Sequence, residues 1–332
     1  MVGIDEVARH AGVSTATVSR ALSGRGRISP QTRERVRAAA ADLGYVASAA
    51  ASSLATGRTR NVGVLVPLLD RWFYSTVISA ISSRLLPHDH DITLYNLTED
   101  RAQRQRLFAQ SLRRGRVDGV IALSRLESDE VAELLALDKP VVAVGPNPLL
   151  PALLVDDVAV GRAATQHLLG LGHRDIAYIG QSRGDESDVP AQRHRGFVQA
   201  MEDAGVPLRD ELTLDGDFTI EGGRRVARDL LARARPTAVF AASDEMAVGV
   251  LLAAQEAELR VPGDLSVIGV DGHELSGVFG LTTIDQFPHR QGERAAELLL
   301  AELGEAVAAP PASLPFELVV RRSTAAPASP AR

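Results

Sequence analysis

The sequence contains no cysteine among its 332 residues, which excludes disulfides, thiolate metal sites and cysteine nucleophiles. It contains a single tryptophan, and aromatic residues make up only 4% of the chain. No apolar run reaches the roughly 18 residues of a membrane-spanning helix, and the first residues lack the pattern of a signal peptide. A chain with 45% hydrophobic and 23% charged residues is typical of globular proteins with two or three domains. We therefore expect a cytoplasmic protein with no membrane partner.

Charge is distributed unevenly along the chain. The net charge is −6, from 36 basic and 42 acidic residues. Residues 1–60 contain nine arginines and four acidic residues, a balance of +5, so the remaining residues carry −11. A basic segment joined to an acidic body indicates a polyanion-binding domain attached to a domain with another function.

The first part of the chain has the pattern of three short helices, predicted at about 4–10, 15–22 and 30–43. Between the first two, Gly12 suits a left-handed turn and Ser14 suits an N-cap. Short helices joined by a tight turn predict a small all-α domain.

The spacing of Ala8, Gly12 and Val18 is typical of a helix-turn-helix. A small residue lets the second helix pack closely, glycine makes the turn, and a β-branched residue anchors the second helix. A small helical domain with a charged surface is the alternative interpretation. In a helix-turn-helix, the face that enters the DNA major groove would carry Thr15, Ala16, Thr17, Ser19 and Arg20.

From Asn61 onward, short apolar runs alternate with amphipathic stretches, which predicts parallel sheets with right-handed crossovers. About 270 residues is too many for one such sheet, so we expect two lobes and an α/β fold class. The predicted strands lie at 62–66, 92–95, 120–123, 141–144, 176–179, 238–241 and 267–270, and the predicted helices at 75–86, 101–114, 129–137, 158–171, 191–204, 221–234, 245–258 and 290–303.

Several ordered motifs resemble those of the LacI/GalR family of bacterial transcription repressors. They include IDEVARHAGVSTATVSRAL in the head and LLGLGHRDIAYIG, VPGDLSVIGVDGHE and LTTIDQ in the body. The resemblance covers residues 4–324 and implies a periplasmic-binding-protein-like body. The Ala/Pro-rich residues 325–332 are expected to form a frayed tail. The implied divisions are a helix-turn-helix head at 1–46, a hinge at 47–60, and an effector-binding and dimerisation domain at 61–324, with a first lobe at about 61–157 and 287–318 and a second at about 158–286 and 319–324.

The resemblance implies that the start of the second helix reads DNA bases. Arg20 can form a bidentate contact with guanine, whereas the short side chains of Thr15 and Ala16 suit a thymine methyl group. A phosphate contact or a surface ion pair is the alternative for Arg20. Arg27 is expected to contact phosphate or to remain solvated.

Residues 46–60 are small, polar and rich in alanine, and form too short a segment for a stable isolated helix. In the family this hinge becomes helical on the operator, and Leu54 stands where a leucine enters the central minor groove. Packing of Leu54 on the body is the alternative. The family usually has proline, asparagine and arginine where this chain has Ala47, Ser48 and Ser52, and loss of the arginine predicts weaker, less salt-dependent DNA binding.

The resemblance also implies a small-molecule effector between the lobes, usually a sugar or a nucleobase. The implied residues favour a carbohydrate, because carboxylates and arginine bind hydroxyls and an aromatic face packs on a pyranose. Alternatively, Asp244 caps a helix, a neighbour of Arg193 takes its place, or Phe218 belongs to the core. Ser243 and Gly272 depart from the residues usual in the family. The implied effector-binding residues are Arg71, Trp72, Phe73, Ser124, Asp156, Arg193, Phe218, Ser243, Asp244, Asp271 and Gln286.

Motifs for catalysis are missing. The chain has no G-x-S-x-G elbow, no P-loop and no H-E-x-x-H, so we predict that it is not an enzyme and has no cofactor. The run His88-Asp89-His90-Asp91 has metal-ligating side chains, but it precedes a predicted strand where solvated turn residues belong, so no metal site is predicted.

We therefore predict a homodimeric, operator-binding transcription regulator, most simply a repressor, controlled by a small molecule. Three alternatives stay open: a solute-binding protein of a sugar transporter, a sugar-modifying α/β enzyme, and a DNA-binding protein that has lost its effector. The sequence does not decide whether an effector would release DNA or promote its binding.

Overall fold

The computed structural model describes residues 2–22, 27–45, 57–98, 100–147, 149–180, 188–307 and 313–328. The chain divides into two compact units, Met1–Asn61 with Gly115–Asp118, and Val62–Arg114 with Gly119–Arg332. The predictions for the hinge at Ala47, Ser48, Ser52 and Leu54 lie outside the described residues.

The head consists of three short helices around a common core. Val7, Val18 and Val36, one from each helix, are fully buried. Gly12 ends the first helix with a φ of 63°, a left-handed conformation that glycine adopts without the steric cost of a Cβ. The helices are α1 (Ile4–Ala11), α2 (Thr15–Leu22) and α3 (Pro30–Asp42).

Hydroxyl side chains cap α2 and α3 as the sequence predicts. The Ser14 Oγ accepts a hydrogen bond from the Thr17 backbone N–H at 3.2 Å. The Ser29 Oγ accepts one from the Thr32 N–H at 3.1 Å, directly before the proline that begins α3. Each cap satisfies an N–H that the helix itself cannot pair, which confirms the predicted starts of both helices.

The first lobe of the body is built on a five-stranded sheet in the order β2-β1-β3-β4-β5, in which β1, β3, β4 and β5 pair in parallel. Its strands are β1 (Asn61–Val66), β2 (Asp91–Asn96), β3 (Gly119–Ala122), β4 (Val141–Val144) and β5 (Ala152–Leu153). Its helices include α4 (Trp72–Leu85), α5 (Arg101–Arg106), which continues as a π-helical turn at Leu107–Ser111 and a 3₁₀ turn at Leu112–Arg114, and α6 (Ser128–Leu135).

The second lobe is built on a six-stranded sheet in the order β11-β10-β9-β8-β6-β7, parallel except for β11. Its strands are β6 (Ile176–Gly180), β7 (Thr213–Asp215), β8 (Ala238–Ala241), β9 (Ser266–Asp271), β10 (Thr282–Asp285) and β11 (Glu317–Val319). The later helices are α7 (Asp157–Gly170), α8 (Val189–Asp203), α9 (Ile220–Arg233), α10 (Asp244–Glu256), α11 (Glu274–Phe279) and α12 (Pro288–Glu302), of which α12 returns to pack on α4 in the first lobe.

The predicted α/β fold class is confirmed, and two boundaries in the structure differ from the approximate ones predicted. The strand that begins at Glu317 pairs with β10, so the chain re-enters the second lobe before residue 319. The tail does not fray at Ala325, whose N–H and carbonyl bond the Ser266 side chain and whose carbonyl also bonds the His173 Nε2. None of the helices in the described part of the chain is both long and apolar enough to cross a membrane.

Two glycines allow α7 and α8 to approach until their backbones touch. A Cβ on Gly161 would lie 2.1 Å from the Arg193 carbonyl oxygen, and a Cβ on Gly196 would lie 2.1 Å from the Val158 carbonyl oxygen. Because the opposing atoms belong to helix backbones, they cannot move aside as a flexible side chain would. This contact brings the Arg193 guanidinium to Asp157 at the start of α7.

Gly196→Ala should lower the free energy of unfolding by about 1–3 kcal/mol or more, because the added methyl group overpacks the helix contact. The control is Gly170→Ala, at the end of α7, where a Cβ would meet nothing within 4 Å. Alanine there should be neutral or slightly stabilising. Denaturant unfolding monitored by circular dichroism measures both, and equal effects would contradict the close-packing account.

Candidate DNA-binding face and effector cleft

The start of α2 presents an exposed polar surface. Thr15, Ala16, Ser19 and Arg20 are exposed, whereas Thr17 is half-buried with its hydroxyl 2.9 Å from the Ser14 Oγ. Thr17 therefore helps to cap the helix, and the other four side chains form the outward face. Arg27, before α3, is also exposed.

The Arg20 side chain lies along its own helix. Its Nε donates to the Ala16 carbonyl oxygen at 3.1 Å. This bond holds the guanidinium end of the side chain against the preceding turn of its own helix, next to Ala16, the shortest side chain of the face.

The body contains a cleft of about 1440 Å³ bordered by residues of both lobes. Most of its lining follows the carboxyl ends of parallel strands, where binding sites form in open α/β sheets. Eight of the eleven predicted effector-binding residues line it, namely Arg71, Phe73, Ser124, Arg193, Phe218, Ser243, Asp271 and Gln286.

Arg193 is the central charged group of the cleft. It is buried, its Nε donates to Asp157 Oδ1 at 2.8 Å, and its Nη1 donates to the Ala242 carbonyl oxygen at 2.7 Å. The same Nη1 lies 3.6 Å from Asp271 Oδ1, which accepts a hydrogen bond from Gln286 Nε2 at 2.6 Å. Two neighbouring carboxylates compensate the cost of burying the Arg193 charge. The guanidinium and the carboxylates also place hydrogen-bond donors and acceptors next to one another in the cleft.

The two carboxyl groups beside Arg193 have raised pKa values. Burial raises the pKa of Asp157, although the positive charge of Arg193 opposes this effect. Burial likewise raises the pKa of Asp271 to about 7, against the lowering effects of Arg193 and of the Gln286 hydrogen bond. Both groups therefore titrate at higher pH than ordinary aspartates, as is common in binding sites.

Asp271 is also held in a strained backbone conformation. Its φ is 127°, which residues with a Cβ rarely adopt. The strain is located at the end of β9, where the carboxylate turns toward Arg193 and Gln286. Strained residues of this kind persist where the surrounding contacts determine the conformation.

Asp156, which the resemblance assigns to the effector site, does not line the cleft. Asp156 is exposed, and its Oδ1 accepts a hydrogen bond from the Ala159 N–H at 2.9 Å, so it caps α7. The next residue, Asp157, lines the cleft and pairs with Arg193. Sequence reasoning missed Asp157, although an acidic pair at a helix start offers a signal: one member caps the helix and the other can turn inward.

Asp244 does not line the cleft, and it is not the helix cap either. Ser243 caps α10 through a hydrogen bond from the Met246 N–H, and Asp244 is the first helical residue. Asp244 is fully buried, and its Oδ2 accepts a hydrogen bond from the His273 backbone N–H at 2.8 Å. Burial, together with the nearby charge of Asp271, raises the pKa of Asp244 to about 8. This carboxyl group therefore fixes the backbone at His273, just after β9, without itself lining the cleft.

Trp72 is the third predicted residue that does not line the cleft. It is the first residue of α4, and its ring stacks on His273 of the other lobe. From the sequence one can see that an aromatic residue follows a strand. One cannot see that its ring packs on His273 and not in the cleft.

Arg193 of α8 lines the cleft, whereas Arg195 is exposed and does not line it. Phe218 belongs both to the cleft lining and to the edge of the second-lobe core, and its φ is 58°.

A DNA-binding head on a body that encloses a polar cleft defines a ligand-responsive transcription regulator. Residues 3–48 match the family described as bacterial regulatory proteins, lacI family, and residues 165–324 match a periplasmic binding protein-like domain. The chain is 34% identical over 334 residues to the HTH-type transcriptional regulator DegA of Bacillus subtilis, covering 97% of each protein. The chain belongs to the lacI family of bacterial regulatory proteins.

Solved structures agree over almost the whole length. The lac repressor dimer bound to operator and the anti-inducer ONPF is 28% identical, with a TM-score of 0.83 and coverage of 98% of this chain and 99% of that one. The transcriptional regulator CelR–cellobiose complex is 31% identical, with a TM-score of 0.69 and coverage of 97% and 100%. The protein is therefore a DNA-binding transcriptional regulator, and the alternatives of a transport protein and a sugar-modifying enzyme are excluded.

Asp244→Asn should remove a pH-dependent loss of stability. An aspartate whose pKa rises from 3.8 to about 8 on folding stays protonated in the native protein after the unfolded chain has lost its proton. The free energy of unfolding then falls as the pH rises between these values, by up to about 1.4 kcal/mol per pH unit. Relative to wild type, the variant should therefore gain stability from pH 5 to pH 8.

Urea unfolding at pH 5, 6.5 and 8 measures this trend. Ser243→Ala is the control, because it weakens the same helix start without removing an ionisable group. A difference between wild type and Asp244→Asn that does not change with pH would contradict the raised pKa.

Proposed function

We propose that the protein is a homodimeric repressor whose binding to operator DNA is controlled by a carbohydrate held between its lobes. The observation that carries the proposal is the buried arrangement of Arg193 with Asp157 and Asp271 in an interlobe cleft. A repressor must reach the chromosome to bind its operator, so the proposal includes a cytoplasmic location.

The chemistry of the cleft favours a polyhydroxyl ligand. Sugar hydroxyls donate and accept together, which matches an arginine placed between carboxylates and beside the Gln286 amide. Phe73 and Phe218 supply aromatic surface for the apolar face of a sugar ring. The relative CelR is described in complex with cellobiose, which supports the same ligand class here.

The proposed DNA contacts divide by chemistry. Arg20 reads guanine, and Thr15 and Ala16 contact neighbouring bases, since all three are exposed at the start of α2. Ser19 and Arg27 bind the phosphate backbone, and Thr17 holds the helix start. Leu54 in the hinge enters the minor groove, as the resemblance implies. The lac repressor is described as a dimer on its operator, and a twofold dimer here would require a near-palindromic operator.

Control of DNA binding follows from unequal effector affinity for two lobe arrangements. A ligand that contacts both lobes favours the arrangement in which its contacts are complete. A coupling of about 1–3 kcal/mol changes operator affinity roughly 5–150-fold. Effector-released and effector-promoted repression differ only in which arrangement binds the operator.

Arg20→Ala should weaken binding to the operator roughly 5–150-fold while leaving binding to random DNA almost unchanged, because a bidentate guanine contact discriminates by about 1–3 kcal/mol. Fluorescence anisotropy with a duplex from the gene's own upstream region, at two salt concentrations, measures both affinities. The charge-matched control is Arg233→Ala, an exposed arginine at the end of α9. Equal loss on both duplexes would show that Arg20 contacts phosphate instead.

Asp157→Asn should abolish the stabilisation of the protein by its sugar, whereas Asp156→Asn should retain it. The two acids are adjacent, but only Asp157 lines the cleft and bonds Arg193. Thermal unfolding against a panel of mono- and disaccharides that includes cellobiose identifies the ligand and then compares the variants. A panel in which no sugar raises the unfolding temperature would favour a regulator without a carbohydrate effector.

A further inference from the structure

The two lobes are joined by an aromatic contact that is separate from the cleft lining. Trp72, at the start of α4 in the first lobe, stacks on His273, which follows β9 in the second lobe. The ring centroids are 4.3 Å apart and the planes meet at 29°. This is the close, nearly parallel geometry in which aromatic rings attract each other.

Hydrogen bonds within the second lobe fix the His273 ring independently of its contact with Trp72. The His273 backbone N–H donates to Asp244, and its ring Nδ1 accepts a hydrogen bond from the Leu275 N–H at 3.0 Å, which caps α11. Because Nδ1 accepts, the ring proton resides on Nε2. Burial lowers the pKa of His273, so the ring is uncharged at neutral pH and stacks as a neutral surface.

The first lobe holds the backbone of Trp72. Its carbonyl oxygen accepts a hydrogen bond from the Ser75 Oγ at 2.9 Å within α4. Each ring therefore belongs to a helix start of its own lobe, and rotation of one lobe against the other changes the distance between the rings directly.

Both rings are adjacent in sequence to the cleft. Arg71 and Phe73, which flank Trp72, line the cleft, and Asp271, which lies two residues before His273, pairs with Arg193. A ligand that moves these residues therefore moves the two backbone segments that carry the rings.

We propose that the Trp72–His273 stack is an interlobe latch that positions the lobes and transmits occupancy of the cleft to their relative angle. The link to effector binding rests on the proposed function, whereas the latch itself does not. Trp72 and His273 are positioning residues, since neither lines the cleft.

A second interlobe contact provides an internal comparison. Arg125, after β3, donates from Nη1 to Asp188 Oδ1 at 3.2 Å, and Asp188 precedes α8 in the second lobe. The two contacts flank β8, because β9 and β6 are its neighbours in the sheet. The ion-paired side chains are 30% and 42% exposed, so solvent and salt screen the pair and it should hold the lobes weakly.

The absence of cysteine allows a direct distance measurement. Ala132→Cys on α6 and Glu202→Cys on α8 introduce one exposed label site per lobe. Double electron–electron resonance on spin-labelled protein, diluted with unlabelled protein so that most dimers carry one labelled chain, gives the interlobe distance distribution.

Trp72→Ala and His273→Ala should each broaden and shift this distribution, and the double variant should do no more than either single variant, because both remove the same contact. Trp72→Phe should restore most of the wild-type distribution, and Arg125→Ala in moderate salt should leave it nearly unchanged. In His273→Ala, emission of the only tryptophan should move to longer wavelength. Unchanged distributions in both alanine variants, or effects that add in the double variant, would overturn the latch.

The coupling between sugar binding and operator binding is measured separately. The ratio of operator affinities with and without a saturating sugar, identified in the thermal panel, should fall several-fold in Trp72→Ala. It should stay near wild type in Arg228→Ala, which removes an exposed ion pair with Glu256 inside the second lobe and away from the cleft lining. A ratio unchanged in Trp72→Ala would overturn transmission through the stack. The distance experiment uses neither DNA nor sugar, so failure of the latch and failure of the proposed repression give different results.

Discussion

The buried ion pair between Arg193 and Asp157 is the interaction on which the rest of the body depends. A guanidinium away from water requires opposite charge and full hydrogen bonding, and it receives both from Asp157, Asp271 and the Ala242 carbonyl. Helices α7 and α8 must approach to backbone contact for the pair to form, which is why glycine occupies positions 161 and 196. The same ion pair therefore requires the close packing of α7 and α8 and places charged groups in the cleft.

The same carboxylate cluster is adjacent to the contact that joins the lobes. Asp271 pairs with Arg193 in the cleft, and two residues later His273 contacts both buried Asp244 and the Trp72 ring of the first lobe. The strand end after β9 thus connects the residues that would bind a ligand with the residues that join the lobes. Its strained φ at Asp271 is consistent with a segment determined by contacts on several sides.

Local features of the fold were predictable from the sequence, because their determinants lie within a few residues. Gly12 and Ser14 define the turn and the cap between α1 and α2 without reference to the rest of the chain. Apolar runs likewise located the buried central strands. In contrast, β11 is short and half-exposed, and it forms only because β10 offers an edge, so no periodic pattern marks it.

The cleft was predictable by residue type but not always by register or direction. Arg193, Asp271 and Gln286 lie where the family resemblance implies. Asp156 was chosen over Asp157 because adjacent acids look alike in sequence, and only the helix geometry assigns one to the cap. Asp244 and Trp72 depend on partners in distant segments, and a sequence does not show which way such side chains turn.

The most direct test of the account measures operator affinity against sugar concentration by fluorescence anisotropy, using the sugar that most stabilises the protein against heat. A saturable change in operator affinity of roughly 5–150-fold is expected, with a midpoint between the sugar's dissociation constants for the free and the operator-bound protein. An operator affinity that stays constant while the sugar saturates the cleft would contradict the central claim that the cleft controls DNA binding.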